Sequence, residues 1–338
     1  MKKIDFEAHF WTEEYLDALR ENKGFPRFIK NRETGSPELC FDNDVVMLMG
    51  DRLCNKLLDV GEGRLKDMDA NGVDVQVLSL TAPGLETLDA DRGTALSRKT
   101  NDLVAETIQK YPGRFMGFAA LAPDNPQEAA DELERAVKEL GFIGWNTHSN
   151  FAGNYLDDEK YWPILEKAAE LNAFIYLHPT VPAISQLCKY GFTFAGAAFG
   201  FGVEAAMCMF RVILSGAFDR YPGLKFMLGH YGETLPFLLE RMDRAYTRPP
   251  APAGRPELAK KPSDYLKNNV FVTTSGNFFE PAFTCTSQGM GIDRICLGVD
   301  YPYEEMEQSI QFIDNLPISQ EDKEKIYYQN AGQLGITI

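Results

Sequence analysis

The chain has 338 residues, of which 44% are hydrophobic and 25% charged, a composition typical of globular proteins. Its formal net charge of −15 argues against nucleic acid or an anionic membrane as a partner, because no basic patch would offset repulsion from phosphate. The sequence has no apolar run long enough to cross a bilayer and no signal-peptide pattern. The six cysteines have no metal-binding spacing and are predicted to be free thiols, so we expect a cytoplasmic protein.

Eight short apolar runs along the chain have the composition of buried β-strands. Most are nearly continuous in apolar residues, as expected for strands covered on both faces of a parallel sheet. The runs are 4–9, 73–80, 115–121, 142–148, 173–178, 225–230, 269–275 and 294–300. Helical patterns lie between and after them at 62–70, 93–111, 126–139, 159–171, 202–218, 234–246, 303–314 and 320–330. This alternation predicts a single α/β domain over residues 1–338, a (β/α)8 TIM barrel.

Polar residues at the ends of these runs favour the barrel over its structural rival, a doubly wound open sheet. In an open sheet only the strands at the switch point need to end in functional residues. Here Glu7 and His9 close the first run, His178 the fifth and His230 the sixth, while Asp300 closes the eighth. Glu7 and His9 are two residues apart, so on a strand their side chains share one face. The carboxyl ends of barrel strands converge at one mouth, where we expect these five side chains to meet.

These residue types suit a divalent metal ion. Two histidines and two carboxylates neutralise such an ion and match a Zn²⁺ or Mn²⁺ site. A single histidine would more often be a hydrogen-bonded core residue, but three histidines on separate strand ends favour the metal. Glu233 follows His230 by three residues and could orient its ring and raise its basicity. Alternatively, Glu233 is an acidic residue that stabilises a helix N-terminus.

Two insertions follow the carboxyl ends of strands 1 and 5. Residues 11–60 and 179–201 are therefore predicted to form walls or lids of a pocket, although simple loop decoration is the alternative. Both are rich in aromatic residues such as Phe28, which would suit an aromatic substrate. The Pro-rich segment 247–263 is predicted to be an exposed linker or an oligomer contact.

Two further polar residues are candidates for substrate binding. Arg241 lies on the helix after strand 6, where it could bind a carboxylate or a neighbouring subunit, or form an exposed ion pair. His148 ends strand 4 and is predicted to line the pocket without binding metal. Walker A, GxGxxG and GxSxG motifs are absent from the sequence, so it indicates neither a nucleotide cofactor nor a serine hydrolase.

Several of these segments together resemble a known family. They are Glu7-Ala8-His9, Tyr176-Leu177-His178-Pro179, Gly229-His230-Tyr231-Gly232-Glu233, the segment 298–304 and the segment 326–331. With them the chain resembles the amidohydrolase superfamily over essentially its whole length. It is most similar to the branch of metal-dependent aromatic decarboxylases, which includes γ-resorcylate, 2,3-dihydroxybenzoate and 5-carboxyvanillate decarboxylases. Glu7 is the most specific element, because hydrolases of the superfamily usually begin with His-x-His.

The resemblance implies a ligand set for one metal ion: Glu7, His9, His178 and Asp300. No lysine ends strand 4, where hydrolases with two metal ions carry a bridging lysine. By the same resemblance, His230 and Glu233 are acid–base partners and Arg241 occupies a substrate-binding or subunit-contact position. Tyr303 stands where many relatives have phenylalanine, so it is expected to alter the pocket wall.

The implied reaction is the non-oxidative decarboxylation of an ortho-hydroxylated aromatic carboxylic acid. Protonation of the ring carbon by Asp300 or by His230 would precede loss of CO₂. The reaction would use Zn²⁺ or Mn²⁺, with Mg²⁺ as a third candidate, and no organic cofactor. A homodimer or homotetramer is the family expectation. The alternatives are a metal-dependent hydrolase of a lactone or amide and a metal-binding protein without catalytic activity.

Overall fold

The computed structural model describes residues 1–248 and 255–336. In chain order its strands are β1 (Ile4–Phe10), β2 (Arg27–Lys30), β3 (Pro37–Cys40), β4 (Val46–Leu48), β5 (Val75–Leu80), β6 (Phe115–Ala120), β7 (Gly144–His148), β8 (Phe174–His178), β9 (Phe226–Leu228), β10 (Val270–Thr273) and β11 (Ile295–Cys296). Eight of these strands form one sheet in the order β1-β5-β6-β7-β8-β9-β10-β11, and neighbouring strands are parallel.

Backbone hydrogen bonds across the first and last strands close this sheet into a barrel. The amide of Phe6 donates to the carbonyl of Leu297 at 3.0 Å, and the amide of Asp300 donates to the carbonyl of Glu7 at 2.9 Å. Below the mouth, the barrel interior is filled by apolar side chains such as Phe6, Phe118 and Phe271. The predicted (β/α)8 barrel is confirmed, and its carboxyl-terminal mouth lies where barrel enzymes carry their sites.

Helices surround the barrel and cover its outer face. The α-helices are α1 (Glu13–Glu21), α2 (Gly50–Leu58), α3 (Glu62–Asn71), α4 (Ala90–Lys110), α5 (Pro126–Lys138), α6 (Trp162–Glu170), α7 (Phe192–Ala195), α8 (Gly200–Leu214), α9 (Ala217–Arg220), α10 (His230–Glu233), α11 (Leu235–Thr247), α12 (Pro262–Asn269), α13 (Glu280–Met290), α14 (Met306–Asn315) and α15 (Gln320–Tyr327). Short 3₁₀ turns cover Leu85–Thr87, Glu159–Tyr161, Ser185–Cys188, Ile292–Arg294 and Gln329–Leu334. Each of the eight predicted helices overlaps an observed helix, whereas α1, α2, α7, α10, α12 and α13 were not predicted.

All eight predicted strands are present, but several end earlier than expected. The sixth ends at Leu228 and the eighth at Cys296, so His230 and Asp300 lie beyond the ladder rather than on it. Both residues have positive φ angles, 51° and 67°. A residue in the left-handed region cannot continue a β-strand, so neither residue could belong to its strand.

The first insertion contains a small antiparallel sheet. Strands β2, β3 and β4 pair antiparallel as a three-stranded sheet between α1 and α2. The second insertion is less regular and contains the 3₁₀ turn at 185–188 and the short helix α7. The rings of Phe41 and Phe192 stack with centroids 6.1 Å apart, which joins the two insertions above the mouth.

Three other sequence predictions concern the rest of the chain. Within the Pro-rich segment 247–263, residues 249–254 lie outside the described residues, while Pro262 already begins α12. The six cysteines are free thiols, as predicted. Across residues 1–248 and 255–336, no helix combines the length and apolar character needed to span a membrane.

Candidate metal centre and active site

Four side chains converge at the carboxyl-terminal mouth of the barrel. Glu7, His9, His178 and Asp300 each offer one ligand atom, and these atoms all lie within 4.8 Å of one another. Glu7 and His9 come from β1 and His178 from the end of β8, while Asp300 follows β11. The first three are buried, and the Asp300 side chain is 15% exposed. The geometry therefore brings together the four residues that the sequence analysis assigned to a metal ion.

The facing atoms of these four residues have no hydrogen-bond partner in the protein. They are Glu7 Oε1, His9 Nε2, His178 Nε2 and Asp300 Oδ1, all of them buried. His9 Nε2 and Asp300 Oδ1 are 3.0 Å apart, yet they are not aligned for a hydrogen bond. Buried polar atoms are normally paired, so four unpaired acceptors around one point fit a cation at that point.

Neighbouring groups contact three of the four ligand side chains on the side that faces away from the metal position. The Nδ1 atom of His178 lies 2.8 Å from the carbonyl of Pro179, and the Nδ1 atom of His9 lies 3.0 Å from the Ser79 hydroxyl. A proton on Nδ1 leaves the Nε2 lone pair free for a metal ion. Glu7 Oε2 accepts a 2.7 Å hydrogen bond from the Thr273 hydroxyl, which leaves Oε1 facing the centre.

His230 lies beside the cluster and forms a pair with Glu233. Its Nδ1 atom is 2.6 Å from Glu233 Oε1, and its Nε2 atom is 3.8 Å from both Glu7 Oε1 and Asp300 Oδ2. Residues 230–234 all have positive φ angles, between 51° and 81°. This conformation is costly for the non-glycine residues among them, and its presence beside the cluster is typical of strain held at functional sites.

Burial and neighbouring charges shift the ionisation of these groups in different directions. Burial lowers the pKa of His178 well below 6.5, helped by the neighbouring His9, so its imidazole is neutral and suited to metal binding. Burial also acts to lower the pKa of His230, but the carboxylates of Glu233 and Glu7 outweigh it and raise that pKa well above 6.5. Burial acts to raise the pKa of Asp300, but the neighbouring imidazoles of His230 and His9 outweigh it and hold that pKa below its usual range.

A cavity of about 1510 Å³ opens over the cluster. The cavity is lined by His178, His230, Asp300 and Tyr303, together with residues of both insertions. The Tyr303 hydroxyl lies 3.1 Å from the Thr81 hydroxyl, and its ring centroid is 5.8 Å from that of His9. Tyr303 therefore places a polar group in the cavity wall close to the metal cluster.

The other three predicted substrate-binding residues do not line this cavity. Phe28 is 8% exposed and packs edge-on against Trp11, inside the first insertion. His148 is buried behind the cluster, where its Nδ1 lies 3.1 Å from Glu86 Oε1, so the expectation that it lines the pocket is wrong. Arg241 is an exposed residue on α11 and does not reach the cavity of its own chain, so its role at a subunit contact stays a prediction.

Sequence reasoning missed the hydroxyl residues that contact His9, Glu7 and Tyr303. Ser79, Thr81 and Thr273 lie at or just after the ends of β5 and β10. Their positions at strand ends are the same signal that identified the histidines. The signal is weak for hydroxyl residues, because serine and threonine are common at such positions for structural reasons alone.

The fold and the cluster together define a parallel β/α barrel with a carboxylate–histidine metal centre at its mouth. Residues 4–334 match the model of a family described as amidohydrolase. The chain is 36% identical to γ-resorcylate decarboxylase of Polaromonas sp. JS666 over 345 aligned positions, which cover 98% of both proteins. It belongs to the amidohydrolase family.

Two solved structures are closely similar to this chain. One is a 5-carboxyvanillate decarboxylase from Novosphingobium aromaticivorans, complexed with manganese and 4-hydroxy-3-methoxy-5-nitrobenzoic acid. It has a TM-score of 0.89 and 34% identity, covering 99% of this chain and 96% of that one. The other is a dihydroxybenzoic acid decarboxylase from Polaromonas sp. JS666 with bound manganese and the inhibitor 2-nitroresorcinol. It has a TM-score of 0.84 and 34% identity, covering 98% of this chain and 96% of that one.

Proposed function

We propose that this protein is a metal-dependent, non-oxidative decarboxylase of an ortho-hydroxylated aromatic carboxylic acid. The observation that carries the proposal is the convergence of Glu7, His9, His178 and Asp300 on one point, with glutamate at the first position. Relatives that match nearly the whole chain are decarboxylases of hydroxylated benzoic acids. The enzyme class is therefore carbon–carbon lyase.

The cluster would hold one divalent ion, with Mn²⁺ favoured by the two related structures and Zn²⁺ or Mg²⁺ as alternatives. When bound, the ion would supply positive charge that orients the substrate carboxylate and the oxygen of the ortho hydroxyl group. The buried Nδ1 contacts of His9 and His178 keep their Nε2 lone pairs directed at that position. No organic cofactor is needed, because the electrons of the broken bond return to the ring.

Two residues are placed to move the proton. Direct loss of CO₂ would leave an unfavourable aryl carbanion, so the ring carbon that carries the carboxylate is protonated first. Asp300, or His230 held by Glu233, delivers this proton. The bond to the carboxylate then breaks, its electron pair restores the aromatic ring, and CO₂ leaves. The acid regains its proton from solvent through the open cavity.

A hydrolase of a lactone or amide is the second candidate for the same barrel. Two features weigh against it. Glu7 replaces the first histidine of the His-x-His pattern, and His148, rather than a lysine, ends β7. His148 is also held by Glu86 and does not reach the cavity, so it does not replace the bridging group that a second metal ion would need.

Three exposed aromatic side chains at the mouth support a homo-oligomer. Phe199, Phe237 and Phe279 are 50%, 80% and 62% exposed, and all three line the cavity opening. Apolar groups gathered at one place on a surface are typical of an interface. A dimer or tetramer that covers them is therefore our proposal, and the free cysteines support a cytoplasmic location.

The test is product analysis after the Mn²⁺-loaded protein meets a panel of ortho-hydroxylated benzoates. The panel contains salicylate, 2,3- and 2,6-dihydroxybenzoate and 5-carboxyvanillate. We expect CO₂ from at least one acid, with the activity lost on chelation and restored by metal. If a lactone or amide panel is hydrolysed while every benzoate stays intact with metal bound, the decarboxylase proposal is wrong.

A further inference from the structure

Most of the cavity wall is formed by apolar side chains rather than by the metal cluster. Leu39, Phe41 and Met47 come from the first insertion, and Phe192 and Phe201 come from the second. The cavity of about 1510 Å³ exceeds the roughly 300–1,000 Å³ typical of sites for drug-sized ligands. A simple dihydroxybenzoate is smaller than such ligands, so it would leave most of this apolar wall in contact with water.

His230 is paired with Glu233, and the remaining charged residues of the wall carry one sign. Glu233, Glu280, Asp300 and Glu304 line the cavity, and none of the described lining residues is lysine or arginine. The metal ion would neutralise the carboxylate that is lost as CO₂. Because His230 is already paired with Glu233, a second carboxylate on the ring would have no free cationic partner among the described lining residues, which is unfavourable.

We infer, on the basis of the proposed decarboxylase function, that the substrate is a 2-hydroxybenzoate with a single carboxylate and an apolar alkyl or aryl substituent. The substituent lies against the apolar wall that the two insertions form together, which includes Phe41, Met47 and Phe192. This assignment separates the chain from its 5-carboxyvanillate-specific relatives, whose substrate carries two carboxylates. It also gives the insertions a function as the specificity wall of the enzyme.

The first experiment compares ligands that differ only in the apolar group. Turnover of salicylate is measured beside that of its methyl and hexyl derivatives, substituted at ring positions 4, 5 or 6, and of 5-carboxyvanillate. Because each buried methylene favours binding, we expect kcat/KM to rise by at least about tenfold for one hexyl isomer. Equal or lower kcat/KM for every hexyl isomer, or 5-carboxyvanillate as the best substrate, overturns the inference.

Binding of reaction products separates this inference from the proposed function. Calorimetry on the Mn²⁺-loaded protein compares resorcinol with 4-hexylresorcinol. Tighter binding of the hexyl compound by at least about tenfold supports the apolar site whether or not turnover is seen. An absence of CO₂ from every acid would count against the decarboxylase function alone, whereas equal affinities would count against the apolar site alone.

Adjacent residues on β4 provide a matched pair of variants. Met47 lines the cavity, whereas Leu48 is 72% exposed and does not line it. Met47→Trp fills the space and should reduce the hexyl-to-unsubstituted ratio of affinities by at least about tenfold, while Leu48→Trp should leave that ratio unchanged. Leu53→Phe, from α2 on the same wall, replaces Met47→Trp if the latter does not fold. An unchanged ratio in a folded cavity variant, as expected if a second copy of the chain fills the space, overturns the inference.

Discussion

At the scale of single residues, the contact between His230 and Glu233 makes Glu233 a positioning residue. Replacing it in Glu233→Gln removes the charge held 2.6 Å from Nδ1 but keeps the size of the side chain. We expect kcat to fall by about 10- to 100-fold with little change in KM, because orientation of the ring rather than binding is lost. Steady-state kinetics on the best benzoate measure this split.

Two further variants serve as the control and the conservative replacement for Glu233→Gln. Glu240→Gln removes an exposed carboxylate from α11 and should behave as the unmodified protein. Glu233→Asp keeps the charge and should recover part of the lost kcat. If Glu233→Gln and Glu240→Gln have the same kcat, Glu233 has no role beyond local structure.

Asp300 combines two roles, since it faces the metal position and lies 3.8 Å from His230. Asp300→Asn keeps the shape but removes both the negative ligand and the carboxyl group that could carry a proton. We expect kcat to fall by at least about 100-fold, the usual range for loss of a general acid. Metal content is measured on the same sample, with Asp293→Asn, an exposed carboxylate, as control. Near-normal turnover by Asp300→Asn with metal bound would contradict the assignment.

At the residue scale, the position of a side chain could be predicted where a strand dictates its direction, but not where packing does. Glu7, His9 and His178 could be placed because alternation along a strand fixes the face of each side chain. His148 also ends a strand, but its contact with Glu86 depends on a loop 62 residues earlier, which no local pattern reveals. Phe28 was assigned to the wall on aromatic character alone, and such character equally suits packing against Trp11.

At the scale of elements, helix α3 is connected to the active site by one buried cation. Arg64 is fully buried and donates to the carbonyls of Asp59 and His9 at 2.8 and 2.6 Å, while its guanidinium lies 4.7 Å from the centroid of the Tyr301 ring. Burial lowers its pKa to about 10, so it stays charged at neutral pH. It thereby ties the end of β1 to the loop that follows β11.

Replacement of this cation should destabilise the protein measurably. Arg64→Met leaves buried carbonyls unpaired, and we expect a loss of about 3 kcal/mol in the free energy of unfolding. Arg64→Lys keeps the charge but lacks the planar guanidinium group, so its loss in the free energy of unfolding should be smaller. Lys66→Met, from the exposed face of the same helix, is the control, and urea unfolding followed by circular dichroism measures all three. Equal unfolding midpoints for the Arg64→Met and Lys66→Met variants would show that the buried contacts contribute little.

Several of the elements that sequence patterns missed are short or unusually shaped. Strands β2, β3 and β4 have only four, four and three residues, too few for alternation to be distinguished from chance. The left-handed run at 230–234 contains one glycine, Gly232, and four residues that rarely adopt such angles. It is stabilised by tertiary contacts, such as the 3.1 Å hydrogen bond from the His230 amide to the Ser275 hydroxyl, which are invisible in the local sequence.

At the scale of the whole molecule, the barrel was predictable because its signal repeats. Eight apolar runs separated by amphipathic segments leave few arrangements, and the right-handed crossover rule selects among them. The closure of the sheet into a barrel could not be predicted from such a repeating pattern. It depends on hydrogen bonds between β1 and the loop after β11, more than 290 residues apart in sequence, such as that from Asp300 to Glu7.

Because the metal site spans the seam where the barrel closes, metal binding should stabilise the whole fold against unfolding. Glu7 on β1 and Asp300 after β11 bring two carboxylates together across the seam of the barrel, and a cation between them offsets their repulsion. Ligand binding to the folded state alone adds about 2.7 kcal/mol when the free metal is at 100 times its Kd. Chelation should therefore lower Tm by several degrees, and Mn²⁺ should restore it. Glu7→Gln removes one charge and one ligand, so its Tm should respond far less to Mn²⁺. Thermal unfolding followed by circular dichroism tests both statements, and an equal response in the two proteins would place the stabilising ion elsewhere.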